Sequence, residues 1–468
     1  MNPNNSTHHI VIIGGGPGGY EAALAGRKLG AQVTLIERQG IGGSAVLTDV
    51  VPSKTLIATA TAAEAIRTAS SLGINVAIQE GAALVDLKSV NQRLMDLAGA
   101  QSKEMMQKLS DAGVRIINGI GKLDGNHAVI AEAPGQKPER LEAKTIVLAV
   151  GARPRTLPSS EPDGERILTW TQLYNLTELP EHMIVVGSGV TGAEFASAYL
   201  SLGSKVTLVS SRDFVLPGED LDAAVLIEEV FRSRGMNILK KTRADKVEKT
   251  PDGVKVTLQD GTVVEGSHCL MAVGSIPNTE NLGLAEAGVL TKESGHVIAN
   301  RVARTSRANV YAVGDCTDFY PLASVASMQG RTAVFHTMGD IATPTQKRNI
   351  ASNVFTSPEI ASVGWSESDL KEGLTQGHIQ KILLATNPRA KMQGIKEGFI
   401  KLFARTGSGT VLGGVVVGPS ASELIYPIAI AVENRLTVDE LARTYTVYPS
   451  LTGTITDAAR SLYTPNMD

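Results

Sequence analysis

Two runs of glycine in this chain are spaced to hold phosphate. Gly14, Gly16 and Gly19 form one G-x-G-x-x-G pattern, and Gly187, Gly189 and Gly192 form another. In such a turn the first glycine allows the tight bend off a strand. The second lets a pyrophosphate approach the backbone, and the third lets the next helix pack against the strand. The helix start then offers free N–H groups and the positive end of its dipole.

The elements that must position these turns are legible around them. IVIIGGGPGGYEAALAGRKLGAQVTLIER, from Ile10, aligns without a gap with MIVVGSGVTGAEFASAYLSLGSKVTLVSS, from Met183, at an offset of 173 residues. Each reads as apolar strand, turn, small-residue helix and second apolar strand. That is a βαβ dinucleotide-binding unit, and the chain contains two. They differ where the second strand ends. The first copy carries Glu37, in the place where an acid commonly binds ribose hydroxyls. The second carries Ser210, followed by Ser211 and Arg212. A carboxylate there would repel a 2′-phosphate, whereas two hydroxyls and a guanidinium would not. The second site is therefore expected to accept NADPH, in preference to NADH or beside it.

Length and composition bound the rest. The 468 residues are enough for two to four domains, and 43% are apolar. The net charge of −3 comes with no basic stripe, which points away from nucleic acid. The start, MNPNNSTHHIVII, does not read as a signal peptide. No apolar run reaches the roughly 18 residues that a spanning helix needs. No integral membrane segment is expected, and a cytoplasmic location is. Two cysteines, Cys269 and Cys316, make neither a disulfide framework nor a metal cluster. Both are read as buried small hydrophobes, and no metal site is expected.

Two such units, with Gly42-Gly43 and Pro52-Ser53-Lys54 after the first, resemble the FAD-dependent pyridine nucleotide–disulfide oxidoreductases, the lipoamide dehydrogenase-like family. The resemblance covers nearly the whole chain. Residues Thr145 to Gly151 look like the family's crossover out of the FAD domain, and Ala272-Val273-Gly274 with Pro277-Asn278 like the return. Val310 to Asp315 is similar to the second FAD motif, whose aspartate contacts the ribityl chain. Leu412-Gly413-Gly414, Gly418 and Glu423-Leu424-Ile425 resemble the dimerisation domain. The fold implied is α/β: two Rossmann-like domains, for FAD and NAD(P), and a C-terminal α+β dimerisation domain. The boundaries expected are 1–155 with 278–346 for FAD, 156–277 for NAD(P), and 347–468 for the interface of a homodimer. The FAD contacts implied are Gly14, Gly16, Gly19, Glu37, Gly43, Lys54, Gly151, Asp315 and Ala323. Those implied for NADPH or NADH are Gly187, Gly189, Gly192, Ser210, Ser211, Arg212 and Gly274.

The family's redox groups are missing. Its loop after Gly-Gly usually holds two cysteines, and here those places are Ala45 and Val50. A disulfide relay needs a sulfur to attack and a thiolate to leave. The family's C-terminal histidine, which shuttles protons, and the glutamate that orients it are replaced by Tyr448 and Gly453. A tyrosine hydroxyl, with a reference pKa near 10, is a poor shuttle at neutral pH. Lipoamide dehydrogenase activity is therefore not expected.

The groups that serve hydride entry remain. Lys54 matches the lysine near the flavin N5, and Glu194 the glutamate that pairs with it and keeps it charged. Leu322-Ala323 resembles the start of a helix aimed at the flavin pyrimidine ring. The thiol-free segment, Tyr448-Pro449-Ser450-Leu451 and PEIASVG from Pro358 together resemble the family's NAD(P)H:quinone reductase branch. The resemblance implies hydride transfer from NAD(P)H to FAD and then to a small-molecule quinone. The residues leave open whether the quinone uses the nicotinamide side or the former dithiol side. They equally leave open whether Tyr448 touches substrate or only fills space at the subunit interface. A pyridine nucleotide transhydrogenase or diaphorase, and a non-enzymatic flavoprotein sensor or complex subunit, remain alternatives.

Overall fold

A computed structural model describes residues 8–75 and 84–463. The reading of the first seven residues lies outside that range. The chain divides into two compact units. Among the described residues, one comprises 8–55, 91–155 and 274–346, and the other 56–75, 84–90, 156–273 and 347–463.

The first unit is built on a five-stranded parallel sheet. Its order is Val310–Ala312, Thr145–Leu148, His9–Ile13, Gln32–Glu37 and Arg115–Asn118. The inner strands are apolar runs rather than alternating patterns, because a parallel sheet is covered on both faces, while the edge strand Arg115–Asn118 is only partly buried. Ile10, Val11 and Ile12 are fully buried. Helix Pro17–Lys28 packs against helix Ala323–Met338 at a close crossing. A Cβ on Gly330 would fall 2.1 Å from the Gly18 carbonyl oxygen, so only glycine permits that approach. An antiparallel sheet of Ile120–Asp124, Ala128–Glu132 and Glu139–Glu142 lies between strands Arg115–Asn118 and Thr145–Leu148 in the chain.

The second unit repeats this plan and adds to it. A parallel sheet runs Asn237–Leu239, Lys205–Val209, His182–Val186, His268–Met271 and Ile167–Leu168. Its own three-stranded antiparallel sheet is Ala244–Lys249, Val254–Leu258 and Val263–Gly266. Register follows the repeat: Ile10 pairs with Val33, and Met183 with Val206. Even a polar pair recurs. His9 Nε2 lies 3.0 Å from Thr34 Oγ1, and His182 Nε2 lies 2.9 Å from Thr207 Oγ1. Beyond residue 347, a five-stranded antiparallel sheet is ordered Ser352–Val354, Glu359–Gly364, Val411–Gly418, Phe399–Arg405 and Gly377–Leu383. Helices Ala421–Asn434 and Gly453–Leu462 cover it with an apolar core.

One local expectation changes. The stretch GGSAVLTDVVPSK is helical rather than a loop. Helix Gly43–Leu47 ends at Thr48, and helix Val50–Thr68 begins at once. Pro52 sits in the first turn of that helix, where its missing N–H costs nothing. Cys269 lies within strand His268–Met271. Among the described residues, no helix is long and apolar enough to cross a membrane.

Candidate functional site

In the first unit the glycine turn has the shape that a dinucleotide requires. Gly14 has φ 104°, and a Cβ there would fall 2.3 Å from the Ala149 carbonyl oxygen. A Cβ on Gly19 would fall 1.9 Å from the Gly14 oxygen. Gly16 differs: a Cβ there meets nothing within 4 Å. The glycine is not needed for the packing of the protein itself, so the space above it is suited to a ligand. Gly16 is the N-cap of helix Pro17–Lys28 and makes no side-chain cap, which leaves the amides of the first turn available. Gly43 closes against the same turn, where a Cβ would fall 2.9 Å from Gly16 Cα. Gly42 N–H donates to the Gly15 carbonyl at 2.8 Å.

Glu37 is buried beneath this turn. Its carboxylate accepts from Gly15 N–H at 2.6 Å and Gln39 N–H at 2.7 Å. Gly151, with φ 64°, also has open space at its Cα. Asp315 stands where strand Val310–Ala312 ends. Burial, and then the Asp49 carboxylate, push its carboxyl up to about 6. Such a buried acceptor is suited to hydroxyl donors. Ala323 opens helix Ala323–Met338, which has no side-chain cap, so its first amides are free to face a ligand. Lys54 lies in the first turns of helix Val50–Thr68, and Ala45 and Val50 are both partly buried. These surroundings fit FAD.

The second turn repeats the first. Gly187 has φ 113°, and its Cβ would fall 2.2 Å from the Ala272 oxygen. A Cβ on Gly192 would fall 1.9 Å from the Gly187 oxygen, while Gly189 has open space. Ser210 is fully buried, and its hydroxyl lies 2.6 Å from Ser188 Oγ and 3.1 Å from Arg212 N. It fills the place of the missing carboxylate. Ser211 and Arg212 are exposed, so they are the groups that can meet a ligand. Gly274, with φ 92°, belongs to the first unit, where its carbonyl accepts from Arg155 N–H at 2.9 Å.

Glu194 is 3% exposed on helix Val190–Leu202, and its Oε1 accepts from Phe355 N–H at 2.8 Å. Its repeat counterpart Glu21 makes a 3.5 Å ion pair with Arg331. Tyr448 is 82% exposed, beside the equally open Tyr445 and Val447. Asn387 holds the segment that follows, donating to the Ser450 carbonyl at 3.0 Å and to Thr454 Oγ1 at 2.8 Å. Both cysteines are fully buried, and burial pushes each thiol up to about 12. Neither is a reactive thiolate at neutral pH.

Three contributors were not singled out from the sequence. Ser188 occupies the repeat position of Gly15, so the 173-residue offset signals it. Gln329, 6% exposed, accepts from Gly314 N–H at 2.8 Å and has no sequence signal. The carboxylates of Asp220, Asp222 and Glu367 converge, but the Lys401 ammonium already lies among them.

The repeated dinucleotide folds and glycine turns define a two-nucleotide flavoprotein. The chain belongs to the pyridine nucleotide-disulphide oxidoreductase family, which residues 8–330 match, while residues 350–459 match that family's dimerisation domain. It is a flavoprotein oxidoreductase that uses FAD and NAD(P)H, from a dimeric family. Among its relatives is the NAD(P)H dehydrogenase (quinone) of Mycobacterium tuberculosis, 49% identical over 97% of this chain and 93% of that protein. Dihydrolipoyl dehydrogenase 2 of Haloarcula marismortui is 33% identical, covering 96% and 95%. The crystal structure of LpdA from M. tuberculosis superposes with a TM-score of 0.94 at 49% identity, covering 98% of this chain and all of that one.

Proposed function

We propose that this flavoprotein is an NAD(P)H:quinone oxidoreductase that works without a dithiol relay. The observation that carries the reading is the segment after Gly42-Gly43, where Ala45 and Val50 stand at the positions that the resemblance assigns to the relay's two cysteines. The relative named for quinone reduction, at 49% identity, supports it. So does the replacement of the family's proton shuttle by Tyr448 and Gly453.

When bound, FAD supplies the hydride-accepting and hydride-donating chemistry. The residues of this chain supply the rest. The turns at Gly14, Gly16, Gly19 and at Gly187, Gly189, Gly192 hold the two pyrophosphates, and Gly43, Gly151 and Gly274 complete the turns beside them. Glu37 and Asp315 accept from sugar and ribityl hydroxyls. Lys54 and the amides at Ala323 stabilise negative charge on the ring. Glu194 keeps the role that the resemblance implies, with Phe355 N–H holding its carboxylate in place. Ser211 and Arg212 favour the 2′-phosphate of NADPH, and Ser210 serves by not being an acid. Tyr448 offers a hydroxyl and an aromatic face to the acceptor. The working divisions are 1–155 with 278–346, 156–277 and 347–468, in a cytoplasmic homodimer.

Anaerobic stopped-flow of both half-reactions, with NADPH and then a panel of quinones, tests this. Rapid reoxidation by quinone with no lipoamide turnover is expected. Faster reduction of thio-NAD than of any quinone would replace the reading with a transhydrogenase. Failure of NADPH to bleach the flavin would leave a non-enzymatic flavoprotein.

A further inference from the structure

A lysine far from either glycine turn is built into the fold at considerable cost. Lys401 lies on strand Phe399–Arg405 and is 1% exposed. Its Nζ donates to Asp220 Oδ1 and Oδ2 at 2.9 and 3.0 Å and to Glu367 Oε2 at 2.5 Å, and pairs with Asp222 Oδ2 at 2.9 Å. Outer lysines extend the network, with Lys381 on Asp222 and Lys371 on Glu367, both at 2.8 Å. Burial pushes the ammonium pKa down, but the three carboxylates together outweigh it and hold the group above its ordinary value. A buried ion pair of this kind contributes little net stability compared with apolar packing, but it fixes geometry.

What it fixes is one end of the segment 211–220. That segment leaves strand Lys205–Val209 at Ser210 and enters helix Leu221–Ser233 at Asp220. Its start is tied down by Ser210 on Ser188. Its middle is tied by Leu216 N–H, which donates to the Ser188 carbonyl at 2.9 Å. Leu216 holds φ 56°, a strained conformation for leucine that persists only where its surroundings enforce it. Its far end is Asp220, which caps the helix through Asp222 N–H and Ala223 N–H and receives Lys401 at the same time. Ser211 and Arg212 ride on this segment, and Ser188 belongs to the glycine turn.

We infer that Lys401 is a positioning residue for the nicotinamide dinucleotide: by holding Asp220 it sets the segment that presents Ser211 and Arg212 to the 2′-phosphate. The inference rests on the reading that Arg212 meets that phosphate.

The test is equilibrium binding of NADP+ and NAD+ to the FAD-loaded protein, with thermal midpoints measured alongside. Asp220→Asn keeps the helix cap, since asparagine caps as well as aspartate, and removes the charge facing Lys401. It should weaken NADP+ roughly three- to thirtyfold and leave NAD+ nearly unchanged. In an Arg212→Ala background the same change should add nothing, because both act through one contact. Lys401→Met should do the same or more, and if it does not fold, Asp220→Asn carries the test. Wild-type NADP+ affinity in Asp220→Asn, with only a lowered midpoint, would overturn the inference. If Arg212→Ala itself binds NADP+ like wild type, the 2′-phosphate reading falls. The positioning role then stands only if Asp220→Asn weakens both dinucleotides, and falls if it weakens neither.

Discussion

Ser188 and Ser210 face each other with 2.6 Å between their hydroxyl oxygens, in the place where Gly15 and Glu37 meet in the first repeat. One βαβ unit closes its turn with a carboxylate on a backbone amide. The other closes it with two neutral hydroxyls. The substitution removes negative charge from the strand end while keeping the turn tied, and it leaves the exposed Arg212 beside a neutral hydroxyl pair rather than a carboxylate.

Nucleotide preference should follow that charge. Arg212→Ala should lower kcat/KM for NADPH roughly 10- to 100-fold, the range for a lost hydrogen bond to a charged group, with little change for NADH. Ser210→Glu should shift preference toward NADH. Steady-state kinetics with both nucleotides check this, and equal losses for the two would contradict it.

The glycines should separate folding from ligand binding. Gly16→Ala and Gly189→Ala add a Cβ to open space, so the apoprotein should fold with an unchanged thermal midpoint. FAD retention should fall in the first and dinucleotide affinity in the second, because the methyl group occupies the phosphate's approach. Gly19→Ala and Gly192→Ala place a Cβ 1.9 Å from a carbonyl oxygen and should destabilise the fold itself. Calorimetry of stripped protein, with FAD titration, distinguishes the two classes.

Lys54→Ala should slow anaerobic bleaching by NADPH about 100-fold, the scale for losing one preorganised charge-stabilising donor. Reoxidation by quinone should slow less. Stopped-flow of each half-reaction measures both, and an unchanged bleaching rate would remove Lys54 from the reductive step.

Asp315 predicts a pH dependence of the apoprotein. Its folded pKa of about 6 lies above the unfolded value near 3.9. The folded state therefore holds the proton more tightly. The stability linked to this group is full below about pH 4 and is lost as pH rises through about 6. The loss is of order 3 kcal/mol. Stripped Asp315→Asn should lack it, so wild type should lose ground to the variant between pH 4 and pH 7. Parallel stability curves for the two proteins would show that the carboxyl is not perturbed.

Much of the nucleotide chemistry was legible because it is short-range. A glycine turn between an apolar strand and a small-residue helix spans few residues, and steric demands at Gly14, Gly19, Gly187 and Gly192 write themselves into residue type. The 173-residue repeat exposed both units and, at its strand ends, their difference. The thiol-free segment was equally plain, since alanine and valine cannot do sulfur chemistry in any fold. Its helical form was less so, because Pro52 reads as a breaker until it is known to lie in a first turn.

The sequence by itself determined two dinucleotide-binding units, the family and the absence of sulfur at positions 45 and 50. The tertiary structure alone decided how side chains distant in the chain share a task. Glu194 takes its hydrogen bond from Phe355 N–H, and Asp220 takes Lys401 from 181 residues away. No local pattern marks such pairs. A lysine in the apolar strand FIKLFAR is unfavourable until three carboxylates are packed around it, and only the completed fold brings them there.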